Sequence, residues 1–269
     1  MSRFQHTFDR LKAGGRKALI PFITAGDPSL EATVPVMHAL VAAGADVIEL
    51  GVPFSDPGAD GPTIQRSSER ALGRGAGLSY VLRAVAEFRQ RDQATPVVLM
   101  GYLNPVEIKG TGAFAAEAAQ AGVDGVLLVD LPPEEADETR VVFNRHGLSL
   151  IALASPTTSE SRLRRLCEQA QGYLYYVSFA GVTGASERLD TAAASERLRH
   201  IRQLSPVPVA AGFGIRDAAS ARAMASDADG VVVGSALVDM LAGASDAGQA
   251  STSASEFLRP LRQALDSTT

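Results

Sequence analysis

The 269-residue sequence has no tryptophan, one cysteine, four histidines and no apolar run of membrane-spanning length. A single thiol excludes an internal disulfide, and Cys167, within SRLRRLCEQA, reads as a half-buried small apolar residue of a helix. His6, His38, His146 and His200 are scattered, and none has a second ligand type at helical spacing. No metal site and no histidine base is expected from them. The N-terminus, MSRFQHTFDR, lacks the apolar core of a signal peptide, so the cytoplasm is the expected location. Extended basic runs are missing as well, and a net charge of −5 argues against nucleic acid or an anionic membrane as partner. The cluster Arg162, Arg164 and Arg165 reads as the wet face of a helix.

What is present is a 46% hydrophobic chain, enough for one substantial core. Short runs rich in Val, Ile, Leu and Tyr predict eight strands, at 18–24, 46–50, 96–100, 125–129, 148–153, 174–178, 207–211 and 230–233. Their nearly continuous apolar character suits parallel strands covered on both faces. Helical segments are predicted between them at 30–43, 80–91, 113–121, 133–145, 159–168, 191–203 and 218–225, with Asp27 and Ser159 as candidate caps. Eight β-α units predict a single (β/α)8 barrel domain over 1–269, an α/β fold, with a doubly wound open sheet as the competing arrangement. Phe4, Phe8 and Leu11 predict an extra N-terminal helix that could plug the barrel bottom. The small, polar stretch 242–254 reads as a flexible linker before a final helix at 255–265.

Active sites of such barrels lie at the C-terminal ends of the strands. Three groups of residues converge there. Glu49 ends an apolar strand, and alternation places it with Val47 on the face opposite Ile48 and Leu50, toward the barrel mouth. Asp60 follows eleven residues later in a Gly/Pro-rich loop long enough to fold back over that mouth. A carboxylate desolvated among apolar residues titrates near neutrality, where it can both give and take a proton. Tyr175 is placed to face inward and Tyr176 outward. The glycines of Gly212-Phe213-Gly214 and Gly234-Ser235, after the last two strands, suit a phosphate, with Gly181-Val182-Thr183-Gly184 as a further source of amides. Phe22, Met100, Leu127 and Phe213, at or near strand ends, offer an apolar lining for a flat moiety at the other end of the ligand.

The run IELGVPFSDPGADGPTIQ resembles the most diagnostic motif of the tryptophan synthase alpha chain family. LIPFITAGDP, VVLMGYLNP, VDLPPEEA, YLYYVSFAGVTG, GFGI and VVVGSALV follow in that family's order over roughly residues 15–240. The resemblance implies aldol-type cleavage of indole-3-glycerol phosphate to indole and glyceraldehyde 3-phosphate. It implies Glu49 as general acid and base, Asp60 facing the indole nitrogen, and Tyr175 supporting the carboxylate site. Phe22, Met100, Leu127 and Phe213 would surround the indole, and Gly184, Gly214, Gly234 and Ser235 the phosphate. Thr183 would lie in a lid reaching the second carboxylate, with Phe179 where some relatives carry arginine. The resemblance further implies no cofactor in this chain and a pyridoxal phosphate-bearing beta chain as partner in an alpha2-beta2 heterotetramer. Pro53, Phe54, Asp56, Asn104, Pro105 and Pro132 match the loops that meet it. A free-standing lyase and a catalytically silent barrel that only activates a beta chain are the alternatives.

Overall fold

In the computed structural model, which describes residues 1–177, 191–212 and 214–267, strands and helices alternate along the chain. The first half runs α1 (Arg3–Ala13), β1 (Ala18–Thr24), α2 (Thr33–Ala42), β2 (Ile48–Gly51), α3 (Pro62–Gly73), α4 (Leu78–Phe88), β3 (Val97–Gly101), α5 (Leu103–Lys109), α6 (Thr111–Ala121) and β4 (Gly125–Leu128). The second runs α7 (Ala136–Arg145), β5 (Ser149–Leu150), β6 (Ala152–Ala154), α8 (Glu160–Glu168), β7 (Leu174–Val177), α9 (Thr191–Leu204), β8 (Val209–Gly212), α10 (Ala218–Ala225), β9 (Gly230–Val233), α11 (Ser235–Leu241) and α12 (Ala247–Asp266). Every strand pair is parallel, in the order β5-β4-β3-β2-β1-β9-β8-β7-β6. The two ends of that order, β5 and β6, are consecutive in the chain, so the sheet curls into the expected barrel. The predicted fifth strand is not one element, because it breaks at Ile151: β5 pairs with β4 and β6 with β7.

Strand alternation sorts the core into an inside and an outside. Ile20, Val47, Val98, Leu127, Ile151, Tyr175, Ala210 and Val232 form the interior cluster. Their neighbours Leu19, Ile48, Leu99, Val126 and Val231 face the helices, as do Leu174, Tyr176 and Val209. Each large side chain fully buried this way contributes about 1.5–3 kcal/mol.

Helix α1 closes the barrel bottom, as Phe4, Phe8 and Leu11 join the interior cluster. The Ser2 side chain caps α1 by accepting from the Gln5 amide at 3.2 Å. Phe4 meets Tyr173 edge-on at 5.9 Å between ring centroids. Gly125 and Gly172 leave room for the plug, since a Cβ at either would lie 3.1 Å from the Phe4 ring.

Three expectations are corrected. The segment 242–254 is not a linker, because α12 begins at Ala247, with the Asp246 side chain accepting from the Gln249 amide at 2.8 Å. Ala250, Ala254, Leu258, Leu261 and Leu265 make one buried stripe, and its small residues allow close approach to α2. Asp27 caps no helix; both its oxygens accept from Arg70, at 2.8 and 2.7 Å, which ties α3 to the end of β1. Helices α3 and α5 were not expected, and α3 starts with Pro62, whose fixed φ and missing N–H suit a first turn.

Candidate active site

Glu49 lies on the inner face of β2, in register with Phe22 of β1 and Val98 of β3. It is 0% exposed. Tyr173 donates its hydroxyl proton to Glu49 Oε1 at 2.5 Å, and Glu49 Oε2 is buried without a partner among the described residues. Burial pushes the Glu49 carboxyl up to about 7, and the bond from Tyr173 opposes the rise. Tyr175, the tyrosine that sequence reasoning singled out, faces inward as expected, with its hydroxyl pressed on Gly212. A Cβ at Gly212 would sit 2.3 Å from that oxygen, so only glycine fits. Burial and the charge of Glu49 both push the Tyr175 phenol upward, keeping it neutral. Tyr173 was missed, although it lies two residues before Tyr175 and so shares its inward face.

Asp60 sits in the loop between β2 and α3. Its amide donates to Pro57 O at 3.0 Å, and Gln65 Nε2 donates to its carbonyl at 2.8 Å. The body of α3 is held against the end of β1 by Ser67 Oγ, 2.7 Å from Thr24 Oγ1, as well as by the Arg70–Asp27 pair. Tyr102, also missed in the sequence, donates to Asp60 Oδ2 at 3.0 Å and accepts from the Ala59 amide at 3.0 Å. Burial raises the Asp60 carboxyl, and the Tyr102 bond opposes it. Desolvation, and then the Asp60 charge, raise the Tyr102 phenol in turn. The Tyr102 ring stacks on Phe54, with centroids 5.0 Å apart and planes at 28°.

Phe22, Thr24, Asp60, Met100 and Tyr102 enclose a space of about 10 Å³, room for about one water. Gly51 makes that packing feasible, because the Phe22 ring lies 2.5 Å from where its Cβ would be. Leu127 is fully buried deeper in the interior cluster, and Val129, two residues on, takes the half-buried position nearer the mouth. On the opposite side of the mouth, Gly214 adopts φ +71, and no atom of the described residues lies within 4 Å of its missing Cβ. Gly234 precedes α11, and the amides of Ser235 and Ala236 donate to no acceptor among the described residues. Phe179, Thr183, Gly184 and Phe213 lie outside the described residues.

Of the residues matched to a partner surface, Asp56 and Asn104 are exposed, Phe54, Pro105 and Pro132 are half-buried, and Pro53 is buried. Ile108, on the same helix as Asn104, is 79% exposed. Among the described residues no cluster of three or more His, Cys, Asp or Glu could hold a metal ion, and no helix is long and apolar enough to cross a membrane.

The model of one protein family, the tryptophan synthase alpha chain, matches residues 8–266. The chain belongs to the tryptophan synthase alpha chain family. A tryptophan synthase alpha chain from Xanthomonas oryzae pv. oryzae is 76% identical over 99% of this chain and 99% of its own length. One from Xanthomonas campestris pv. campestris is 74% identical over 98% and 97%. The crystal structure of tryptophan synthase subunit alpha from Legionella pneumophila superposes with a TM-score of 0.92 at 46% identity, covering 99% of both chains. A tryptophan synthase alpha chain is a lyase of tryptophan biosynthesis that cleaves indole-3-glycerol phosphate. The family has no cofactor of its own and implies a beta-chain partner, where the pyridoxal phosphate resides.

Proposed function

We propose that Glu49 and Asp60 divide the cleavage of indole-3-glycerol phosphate between them. The observation that carries this reading is Glu49: fully buried, raised to about 7, and with one carboxyl oxygen unpartnered among the described residues. Such a group gives a proton and takes one back at neutral pH. Protonated Glu49 delivers its proton to indole C3, and the positive charge that appears on the ring nitrogen is stabilised by the Asp60 carboxylate. Glu49, now a carboxylate, removes the proton of the glycerol hydroxyl next to the ring. The carbon–carbon bond then breaks, its electrons restore the indole, and the hydroxyl carbon becomes the aldehyde of glyceraldehyde 3-phosphate. Glu49 ends as it began. Tyr173 and Tyr175, neutral phenols, hold the carboxyl in place.

Phe22, Met100 and Leu127, with Phe213, line the indole end. Room for the ring requires Tyr102 and the Asp60 loop to shift from their present packing. The phosphate is bound by Gly214, Gly234 and Ser235, together with Gly184 and Thr183 of the lid. Support comes from the positive φ and open space at Gly214 and from the two free amides at the start of α11. We infer that the beta chain docks on Pro53, Phe54, Asp56, Asn104, Pro105 and Pro132 in an alpha2-beta2 heterotetramer, with the exposed Ile108 beside them. We infer a cytoplasmic location for the assembly.

Indole release by the purified chain, with and without a beta chain, tests the reading. Slow release alone and strong acceleration by the partner are expected. Full activity unchanged by the partner would leave a free-standing lyase, and no release under either condition would leave a silent activator.

A further inference from the structure

The row of the sheet that carries Glu49 is not filled by the sheet's own side chains. Glu49 of β2 is in register with Val98 of β3, and Val98 with Gly125 of β4, so the third inward position of the row has no side chain. The Phe4 ring takes that place. Its edge lies 3.1 Å from where a Gly125 Cβ would be, and equally near to one at Gly172. Helix α1 therefore reaches into the barrel as far as the ladder row of Glu49.

Contact with Glu49 itself runs through Tyr173. The Tyr173 ring meets Phe4 edge-on at 5.9 Å and Phe8 at 6.1 Å with planes at 46°, and its hydroxyl donates to Glu49 Oε1. Tyr173 is fully buried, and Phe4, Phe8 and Leu11 are buried with it in the interior cluster. Among the described residues, Tyr173 and Tyr175 are the titratable groups that act on Glu49 or feel its charge, and both phenols stay neutral. Phe22 and Val98 flank Glu49 on the adjoining strands. The charged residues of α1 turn away from the interior. Arg3 pairs with Asp124 at 2.8 Å and Arg10 with Asp46 at 3.4 Å, while His6, Asp9 and Lys12 are exposed. Those two aspartates also accept from the Val97 and Leu19 amides, at 2.8 and 3.0 Å, so the plug is fastened to the carboxylates that hold the starts of β3 and β1.

We propose that α1 is a positioning element of the lyase site: Phe4 and Phe8 hold Tyr173 against Glu49 and keep water from reaching the carboxyl from below. The proposal rests on Glu49 as the proton shuttle. Burial is the larger influence on that carboxyl and the Tyr173 bond the smaller. Water admitted beneath Tyr173 relieves the first and donates to the carboxylate in place of the phenol, so Glu49 falls toward its ordinary 4.5. A shuttle already ionised at neutral pH has no proton to give to indole C3.

Carbon-13 NMR of the side-chain carboxyls in the full-length chain, with Glu49→Gln to assign the signal, reads that titration directly. Phe8→Ala and Phe4→Ala should each lower the Glu49 midpoint by about one unit. In both, kcat at neutral pH should fall several-fold with KM kept, and the Glu49 limb of the pH–rate profile should move down with the NMR midpoint. Phe8→Leu, a milder cut for the case that the alanine variants do not fold, should move the midpoint the same way by less. Leu258→Ala opens a cavity in the buried stripe of α12, outside the sheet, and should destabilise the chain with the midpoint in place. A midpoint unmoved or raised in the Phe8 variants, or lowered as much by Leu258→Ala, would overturn the proposal. Cleavage retained in Glu49→Gln would instead remove the shuttle, and the premise of the proposal with it, a failure that the NMR midpoint tells apart.

Discussion

Glu49 on its strand and Asp60 on its loop are two carboxylates in one mouth, and their surroundings differ in kind. Both are raised by burial, and in both a single tyrosine hydroxyl opposes the rise. Glu49, however, is held by ladders to strands on either side and sealed from below by Tyr173 and the α1 plug. Asp60 is held by a turn, by Gln65 and by Tyr102, whose ring stacks on Phe54 of the same loop. The roles proposed for them fit that difference: a proton shuttle needs constant desolvation, which a strand in a closed sheet supplies, and a group that meets developing charge needs to arrive with the substrate, which a loop allows. Phe54 also belongs to the proposed partner surface, so docking could be felt at Asp60 and not at Glu49.

The comparison breaks most visibly in the rates. Glu49→Gln should lower kcat by about 10⁴-fold, the upper end for general acid–base catalysis, with substrate affinity kept. Near-normal single-turnover cleavage would remove Glu49 from its role.

Next in size is a stability effect peculiar to the strand carboxylate. Folded, Glu49 releases its proton near pH 7; unfolded, near its ordinary 4.5. The folded state therefore holds more protons between those values, and its stability falls as pH rises through the window, by about 3 kcal/mol in all. Glu49→Gln removes that loss. Urea denaturation should show the variant more stable than the parent by about 3 kcal/mol above pH 7, with no difference below pH 4.5. A constant difference across the range would contradict the desolvated carboxyl.

On the loop, Asp60→Asn should cost about 10²-fold in kcat, while Tyr102→Phe, which removes one hydrogen bond, should cost less than about tenfold. If Tyr102→Phe matched Asp60→Asn, the tyrosine would be more than a holder. The smallest effect is expected at Tyr173→Phe. Losing the bond that favours the Glu49 anion should move the Glu49 limb of the pH–rate profile upward, and a downward shift would reverse the assignment.

Much of the barrel was legible because its strands are buried on both faces and their apolar runs are unbroken. The inward face of Glu49 followed from alternation alone. Tyr173 was within reach of the same rule, two residues before Tyr175, but it lies outside the predicted strand. Tyr102 carried no such signal, since its contact with Asp60 joins two loops that are 42 residues apart. Helix α12 was misread at its start because its buried face there is built from Ala250 and Ala254, which resemble linker composition until α2 is seen against them.

By itself the sequence determined the α/β alternation and the inward and outward sets of the strands, the inward face of Glu49 among them, because these depend on period-two geometry and residue type. Only the tertiary structure decided which tyrosine answers which acid, where the fifth strand breaks, and that a cavity lies beside the break. Those outcomes depend on which distant segments share a space. Such contacts are set by the curvature of the closed sheet and the packing of helices over it, and no local pattern of side chains encodes them.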